Sequence, residues 1–397
     1  MFVERDIQER FERAIASHGM VALLGARQSG KTTFLRHNMQ GRDASYVMLD
    51  RTPERERFET DLEQFELQHI KGHELTVLDE VQHAQDSGVR LKNLVDSGAR
   101  LWVTSSSEVV MTKDVLGHLV GRVAILRLYP FSLREFLRAR GQRGLTPGVL
   151  EAMVREHMLY GGYPRAVLSG DGDSKAMVLE NLYETVLLKD VTRAYSIDNL
   201  KGLEDLAMYV AANPGGIMLY DAVASDLGMM VPTLKKYLDA LERCYLLVRV
   251  RPFFTNRAKE ISKQPKVYHL DTGIRNAILG DFRGGMEGKV FEGYVLGELV
   301  KMGLPPRYWH SKGGAEVDFV VRMRDGPVPI EVKLKADRGE MGRGLRSFIK
   351  RYGPKKAFVV SFEGERGEER IDRCPVRYVD VLRLAEGLQT GKAAPEA

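Results

Sequence analysis

Long apolar runs are missing from this 397-residue chain, and none approaches the about 18 consecutive apolar residues that a membrane-spanning helix requires. Cysteine is almost absent. Cys244 and Cys374 stand far apart in the sequence, which argues against a disulfide framework and against a cysteine-built zinc site. Tryptophan occurs only twice, and internal repeats and low-complexity tracts are lacking. The opening residues Met1–Asp6 do not show the basic-then-apolar layout of a secretion signal, so a cytoplasmic setting is expected. Extreme charge is also missing, the formal net charge being +5. What remains is 44% hydrophobic and 28% charged, the composition of a globular chain long enough for roughly two to four domains.

The densest signal is Gly25-Ala26-Arg27-Gln28-Ser29-Gly30-Lys31-Thr32, which fits G-x-x-x-x-G-K-[ST]. Met20–Leu24 before it reads as a short buried strand, and 32–39 after it as a helix. Glycines let backbone N–H groups turn inward on one anion, and the helix presents its positive N-terminus to it. Residues 25–33 therefore form a candidate nucleoside triphosphate cradle, Thr33 included. Lys31 reaches the β- and γ-phosphates, and the Thr32 hydroxyl sits on Mg²⁺. The apolar strand at 75–79 ends in Asp79-Glu80, with Asp79 placed to help hold Mg²⁺ and Glu80 to orient or deprotonate the attacking water. A third strand at 100–104 runs into Thr104-Ser105-Ser106-Ser107. Ser106 is the candidate γ-phosphate contact there, a helix N-cap being the alternative. Gly121-Arg122 offers an arginine able to project into a neighbouring subunit's site, or else an ordinary surface arginine.

With these elements the chain resembles prokaryotic AAA+-type ATPases fused to a C-terminal domain of uncharacterised function. Tyr129-Pro130-Phe131-Ser132-Leu133-Arg134-Glu135-Phe136 and Tyr160-Gly161-Gly162-Tyr163-Pro164-Arg165 are the more specific parts of the likeness, which spans nearly the whole chain. It implies ATP as cofactor, an AAA+-like core, a lid in which Arg165 serves as a second sensor, and ring or inter-subunit assembly.

The middle of the chain reads as a winged helix. Amphipathic segments at 203–212, 220–227 and from Val231 are followed by strands at 246–251 and 266–270. The window 232–266 holds nine Lys and Arg against three acids, a local excess larger than that of the whole chain. Lys235, Lys236 and Arg243 fall on the polar face of the third helix. Arg257, Lys259 and Lys263 fall on the wing, where phosphate contact is natural. DNA is the expected partner, with a protein-packing module as the alternative.

The last third carries a D…E-x-K pattern. A helix at 286–303 contains Glu292; strands at 307–310, 315–321 and 329–334 follow, the last two carrying Asp318, Glu331 and Lys333. Side chains two apart on a strand share a face, so Glu331 and Lys333 point into one cleft. Asp318 on the neighbouring strand is expected to face Glu331, and two carboxylates suit Mg²⁺ or Mn²⁺. Glu316, two residues before Asp318, is the alternative acid. With a helix at 340–352 and a strand at 356–361, the order resembles the restriction-endonuclease-like PD-(D/E)xK superfamily, particularly archaeal Holliday-junction resolvases. The resemblance makes Glu292, Asp318, Glu331 and Lys333 candidate catalytic residues.

The expected fold class is α/β: a P-loop AAA+-like core (1–135), a helical lid (136–200), a winged helix (201–270) and a restriction-endonuclease-like α/β domain (271–385). A tail closes the chain (386–397), and the acidic and basic run at 363–373 is expected as a loop. Two functions follow. One is ATP-driven DNA processing coupled to metal-dependent cleavage, including branched DNA. The other is a nucleotide-dependent switch, of STAND or defence type, that binds DNA or protein without cutting.

Overall fold

The computed structural model describes residues 1–106, 108, 116–142, 144–185, 191–256, 260, 263–283 and 287–389. Its first third is a five-stranded, all-parallel sheet: β1 Met20–Leu24, β2 Ala44–Met48, β3 Leu75–Asp79, β4 Leu101–Ser105 and β5 Val123–Arg127, in the order β2-β3-β4-β1-β5. β1, β3 and β4 are buried at every position, as expected of strands covered on both faces. One face packs Met20, Ala22 and Leu24 with Phe58 and Phe65; the other packs Val21 and Leu23 with Phe11, Phe34 and Trp102. The phosphate loop leaves the C-terminal end of β1, the central region of the sheet, where open parallel sheets place their ligands.

A second sheet is small. β6 Gly216–Ile217, β7 Leu247–Val250 and β8 Lys266–His269 run in the order β6-β8-β7 beside helices Leu200–Ala212, Tyr220–Asp226 and Val231–Arg243. Leu234, Tyr237, Leu238 and Leu241 bury one face of the third helix, as the spacing predicts.

A third sheet is mixed: β9 Arg307–His310, β10 Glu316–Met323, β11 Gly326–Lys335, β12 Ala357–Glu363, β13 Gly367–Ile371 and β14 Cys374–Val379, ordered β13-β14-β12-β11-β10-β9. β9, β10 and β11 form an antiparallel meander, and β12 lies parallel to β11. Two corrections arise here. The charged run at 363–373 is not a loop, because 367–371 form edge strand β13, alternating exposed and half-buried. Charged side chains on an edge strand are a common guard against further pairing. The chain end is helical from Val381 to Gln389, so the segment from 386 is not tail; Leu384 and Leu388 bury its inner face, and 390–397 lie outside the described residues.

The cores do not respect the expected divisions. Phe131, Leu133 and Phe136 share one cluster with Val154 and Met158, with Tyr268, and with Phe291, Val295 and Phe319. Ala26 of the phosphate loop shares another with Tyr163, Ala166, Tyr237 and Ile274.

Candidate nucleotide site

The chain turns sharply after β1, and Gly25 permits it. Leu128 N donates to Leu24 O at 2.7 Å, and a Cβ on Gly25 would lie 2.0 Å from Leu128 O. At the other end of the loop Gly30, with φ 98°, caps helix Lys31–Asn38 from the left-handed region that glycine favours. Lys31 is buried, and its Nζ donates to Gly25 O at 3.0 Å and Ala26 O at 3.1 Å. Ser29 is wholly buried, and its Oγ has no hydrogen-bond partner among the described residues. A buried hydroxyl left unpaired is costly, and inside this loop a bound phosphate oxygen would satisfy it.

The acids sit opposite. Thr32 Oγ1 donates to Asp79 Oδ2 at 2.9 Å, and the hydroxyls of Tyr46 and Thr104 donate to the same carboxylate. An adjacent hydroxyl and carboxylate are the protein oxygens Mg²⁺ takes beside a phosphate, so the residues fit the ion and the nucleotide. Glu80 follows at φ 60°, a strained position for a residue with a side chain. Its N–H donates to Thr104 Oγ1 at 2.9 Å, and its carboxylate accepts from Ser106 Oγ at 3.0 Å and from Gln82. Burial pushes the Glu80 carboxyl up, but Lys31, 3.9 Å away, with Gln82, Ser106 and Arg27, outweighs it and holds the group below its usual value. Lys31 and these hydrogen bonds thus favour the ionised form of Glu80.

The other candidates divide. Pro164 Cγ comes 3.8 Å from the Cβ position of Gly30, which sets exposed Arg165 beside the phosphate loop. Thr33 is exposed on the first helical turn. Arg122 precedes β5, at the end of the sheet away from the loop, and pairs with Asp96 at 2.6 Å. It therefore stands apart from its own chain's site.

Comparison with known proteins fits this geometry. Residues 17–137 match the family profile described as an AAA domain. The match supports an AAA+-type ATPase core. Residues 151–283 and 287–379 match two domains of unknown function, DUF8612 and DUF4143. An uncharacterized protein of Mycobacterium tuberculosis is 26% identical over 361 residues, covering 88% of this chain and 78% of the relative. One of Haemophilus influenzae is 23% identical over 337 residues, covering 78% and 81%. Among solved structures, the Walker-type ATPase of Pyrococcus abyssi aligns with TM-score 0.48 at 15% identity, over 70% of this chain and 96% of that one. The Aeropyrum pernix ORC2 protein in its ADP form aligns with TM-score 0.30 at 13% identity, over 70% and 92%. At these scores neither likeness bears on activity.

Next to the AAA domain lies a residue no local motif marks. Arg5 is buried, donates to Ser29 O at 2.9 Å and Tyr129 O at 2.6 Å, and pairs with Glu135 at 3.0 Å. Glu135 also closes a capping box with Ser132 at the start of helix Leu133–Ala139. Leu133 N donates to Glu298 Oε2 at 2.8 Å, and Lys301 Nζ donates to Phe131 O at 3.0 Å. The Gly161-Gly162 pair is clamped in the same region. A Cβ on Gly161 would lie 1.9 Å from Asp271 Oδ1, and one on Gly162 would lie 2.2 Å from Phe131 O. Both specific motifs thus join the AAA domain to the C-terminal half.

The structure sets the four candidate nuclease residues in two pairs, Glu331 with Lys333 and Asp318 with Glu292. Ile330 and Val332 of β11 face the core that includes helix Gly288–Lys301, so Glu331 and Lys333 face the other way. There both Glu331 oxygens accept from Gly342 N at 3.1 Å, and Lys333 Nζ lies 3.4 Å from Glu331 and donates to Glu340 O. Asp318 instead accepts from Val332 N at 2.8 Å, and burial, then the nearby Glu292 carboxylate, pushes it up to about 7. Glu292 is held by Tyr268, by Lys289 at 2.6 Å and by buried Lys266 at 3.6 Å. Lys266 also pairs with Glu316, the alternative acid. Burial works against the Lys266 charge, but these carboxylates outweigh it and keep its value raised. Among the described residues no group of three or more His, Cys, Asp and Glu is placed to hold a metal.

The expected DNA face is reduced as well. Lys235, Lys236 and Arg243 are exposed on the third helix, although Lys235 lies over Tyr220 and Lys236 donates to Ser196 O at 3.1 Å. Lys263 is exposed, whereas Arg257 and Lys259 lie outside the described residues. Both ends of the wing are docked. Phe253 N donates to Tyr308 O at 2.6 Å on β9, and Glu260 is held by Arg307 and Arg322. Arg249 is tied to Asp239 and Glu242, and Lys266 is buried. Counting charge along the chain leaves out these partners.

Proposed function

We propose that this chain is an ATP-hydrolysing switch whose nucleotide state is passed to its C-terminal half, which engages a nucleic acid or protein partner without cutting it. The observation that carries the reading is the meeting of Lys31, Thr32, Asp79 and Glu80 within hydrogen-bonding or ion-pair reach at one end of the parallel sheet. When bound, Mg²⁺-ATP supplies the scissile phosphoanhydride and the ion neutralises its charge. Thr32 and Asp79 would hold the ion. Lys31, whose Nζ now donates to Gly25 O and Ala26 O, would pair with the terminal phosphates, and the loop N–H groups would take the remaining oxygens. Glu80, kept ionised, accepts the proton of the attacking water, while Ser106 and Gln82 fix its carboxylate. Arg165 reports the nucleotide to the lid. Arg122 serves a neighbouring copy, so specific activity should rise with protein concentration.

The three helices and the β6-β8-β7 sheet support a winged-helix unit. The helix, three-strand meander, helix and parallel strand support a nuclease-like ancestry for the last domain. Separate partners for Asp318 and Glu331 favour a domain that no longer cleaves. Lys31→Ala should abolish ATP hydrolysis. Incubation of single-stranded, duplex and four-way-junction DNA with Mg²⁺ or Mn²⁺ should leave each intact. Cutting that disappears in Lys333→Ala would restore the nuclease reading.

A further inference from the structure

A cleft of about 640 Å³ opens between the AAA domain and the C-terminal domain, on the far side of Arg5 from the phosphate loop. That is within the range of ligand sites, about 300–1,000 Å³. Its lining is unusually cationic. Arg5, Arg10, Arg13, Arg127, Lys301 and Arg324 face only Asp6, Glu9 and Glu135. Two of those acids are already taken, Asp6 by Arg138 at 2.7 Å and Glu135 by Arg5.

Three of the arginines have no carboxylate partner among the described residues: Arg10 and Arg13, one helical turn apart on Gln8–Ser17, and Arg324 on the β10–β11 turn. All three are exposed. They come from opposite walls, and Arg10 reaches across: the Cβ position of Gly303, just past helix Gly288–Lys301, lies 3.3 Å from its Nη1. Arginines without a carboxylate partner among the described residues, Arg13 holding only Glu9 O at 3.2 Å, thus flank a lining that includes Ile7, Leu128 and Leu304. A concave site concentrates their field.

The geometry points to this cleft as the binding site for the sugar-phosphate backbone of a nucleic acid strand. A single phosphate uses one or two guanidinium forks, whereas a row of them matches a repeating anion. The inference deepens the switch reading by naming its partner, and it relocates the contact from the winged-helix face. Arg5 links the two sites, since the same side chain lines the cleft and holds Ser29 O of the phosphate loop.

The test is fluorescence anisotropy of a labelled 20-nucleotide single strand with the full chain and no nucleotide, so that binding is read apart from hydrolysis. Arg10→Glu/Arg13→Glu/Arg324→Glu should weaken binding about tenfold or more and flatten its salt dependence. Lys235→Glu/Lys236→Glu should leave it within about twofold. Basal ATPase activity serves as the folding control, because none of the three arginines belongs to the nucleotide site. Undiminished binding in the triple variant, or loss only in the Lys235/Lys236 variant, overturns the assignment. So does inorganic polyphosphate displacing the strand as well as unlabelled strand of equal charge. Lost hydrolysis in Lys31→Ala with strand binding kept supports both readings; absent ATPase with strand binding intact sinks only the switch.

Discussion

Glu80 is a carboxylate whose surroundings keep it charged, and this sets its titration. Its folded value is below its unfolded one, so the stability it contributes is present above the ordinary carboxylate range and lost as pH falls through the folded value. Glu80→Gln should lower kcat by about a hundredfold or more while nucleotide affinity, followed by titration with a fluorescent analogue, changes little. His269 behaves in the opposite sense. It is buried with neither ring nitrogen hydrogen-bonded among the described residues, and burial, then Arg275, pushes it down to about 3. The unfolded chain takes up its proton first, so acidification from pH 7 to 5 costs about 2 kcal/mol at this residue alone. Urea titrations at the two pH values should show that loss shrinking by a similar amount in His269→Leu.

Among the elements, the phosphate loop was the most legible because its chemistry is written in consecutive residues. The same holds for Asp79-Glu80 at the end of an apolar strand. Arg5 was not legible: it acts through Ser29, Tyr129 and Glu135, up to 130 residues away, and no local pattern marks such a pairing. The Gly-Gly-Tyr-Pro motif was visible as a motif, but its physical reason, a three-way close approach with Asp271 and Phe131, appears only in the fold. Gly161 has φ 66° as well as that contact, so Gly161→Ala should cost about 3 kcal/mol or more, measured by denaturant unfolding. A change to alanine at exposed Gly41, which meets nothing within 4 Å, gives the contrast that isolates the clash from the backbone strain. On β11, the E-x-K spacing correctly put Glu331 and Lys333 on one face. The bulge between Val317 and Val320 on β10 re-aims its neighbours and is not visible from spacing.

At the scale of the whole molecule, the four expected parts share buried clusters. His157, wholly buried between Phe131 O at 3.1 Å and Tyr294 OH at 2.9 Å, touches the motif after β5 and the last domain at once. Calorimetry should therefore record one main unfolding transition. Two well-separated transitions would mean that these buried contacts contribute little. Removing residues 287–397 should leave the remaining chain unable to fold to a soluble ATPase, because Glu298 and Tyr294 complete its interior.

Helix Gly288–Lys301 sets Glu298 against the first N–H of helix Leu133–Ala139, and Glu292 against Lys266. The two carboxylates are six residues apart, about 9 Å along one axis. A rod of that length does not shorten under load. One rigid helix therefore touches both the segment that Arg5 and Glu135 brace and the ion-pair cluster of the mixed-sheet domain, so the two share a single lever arm.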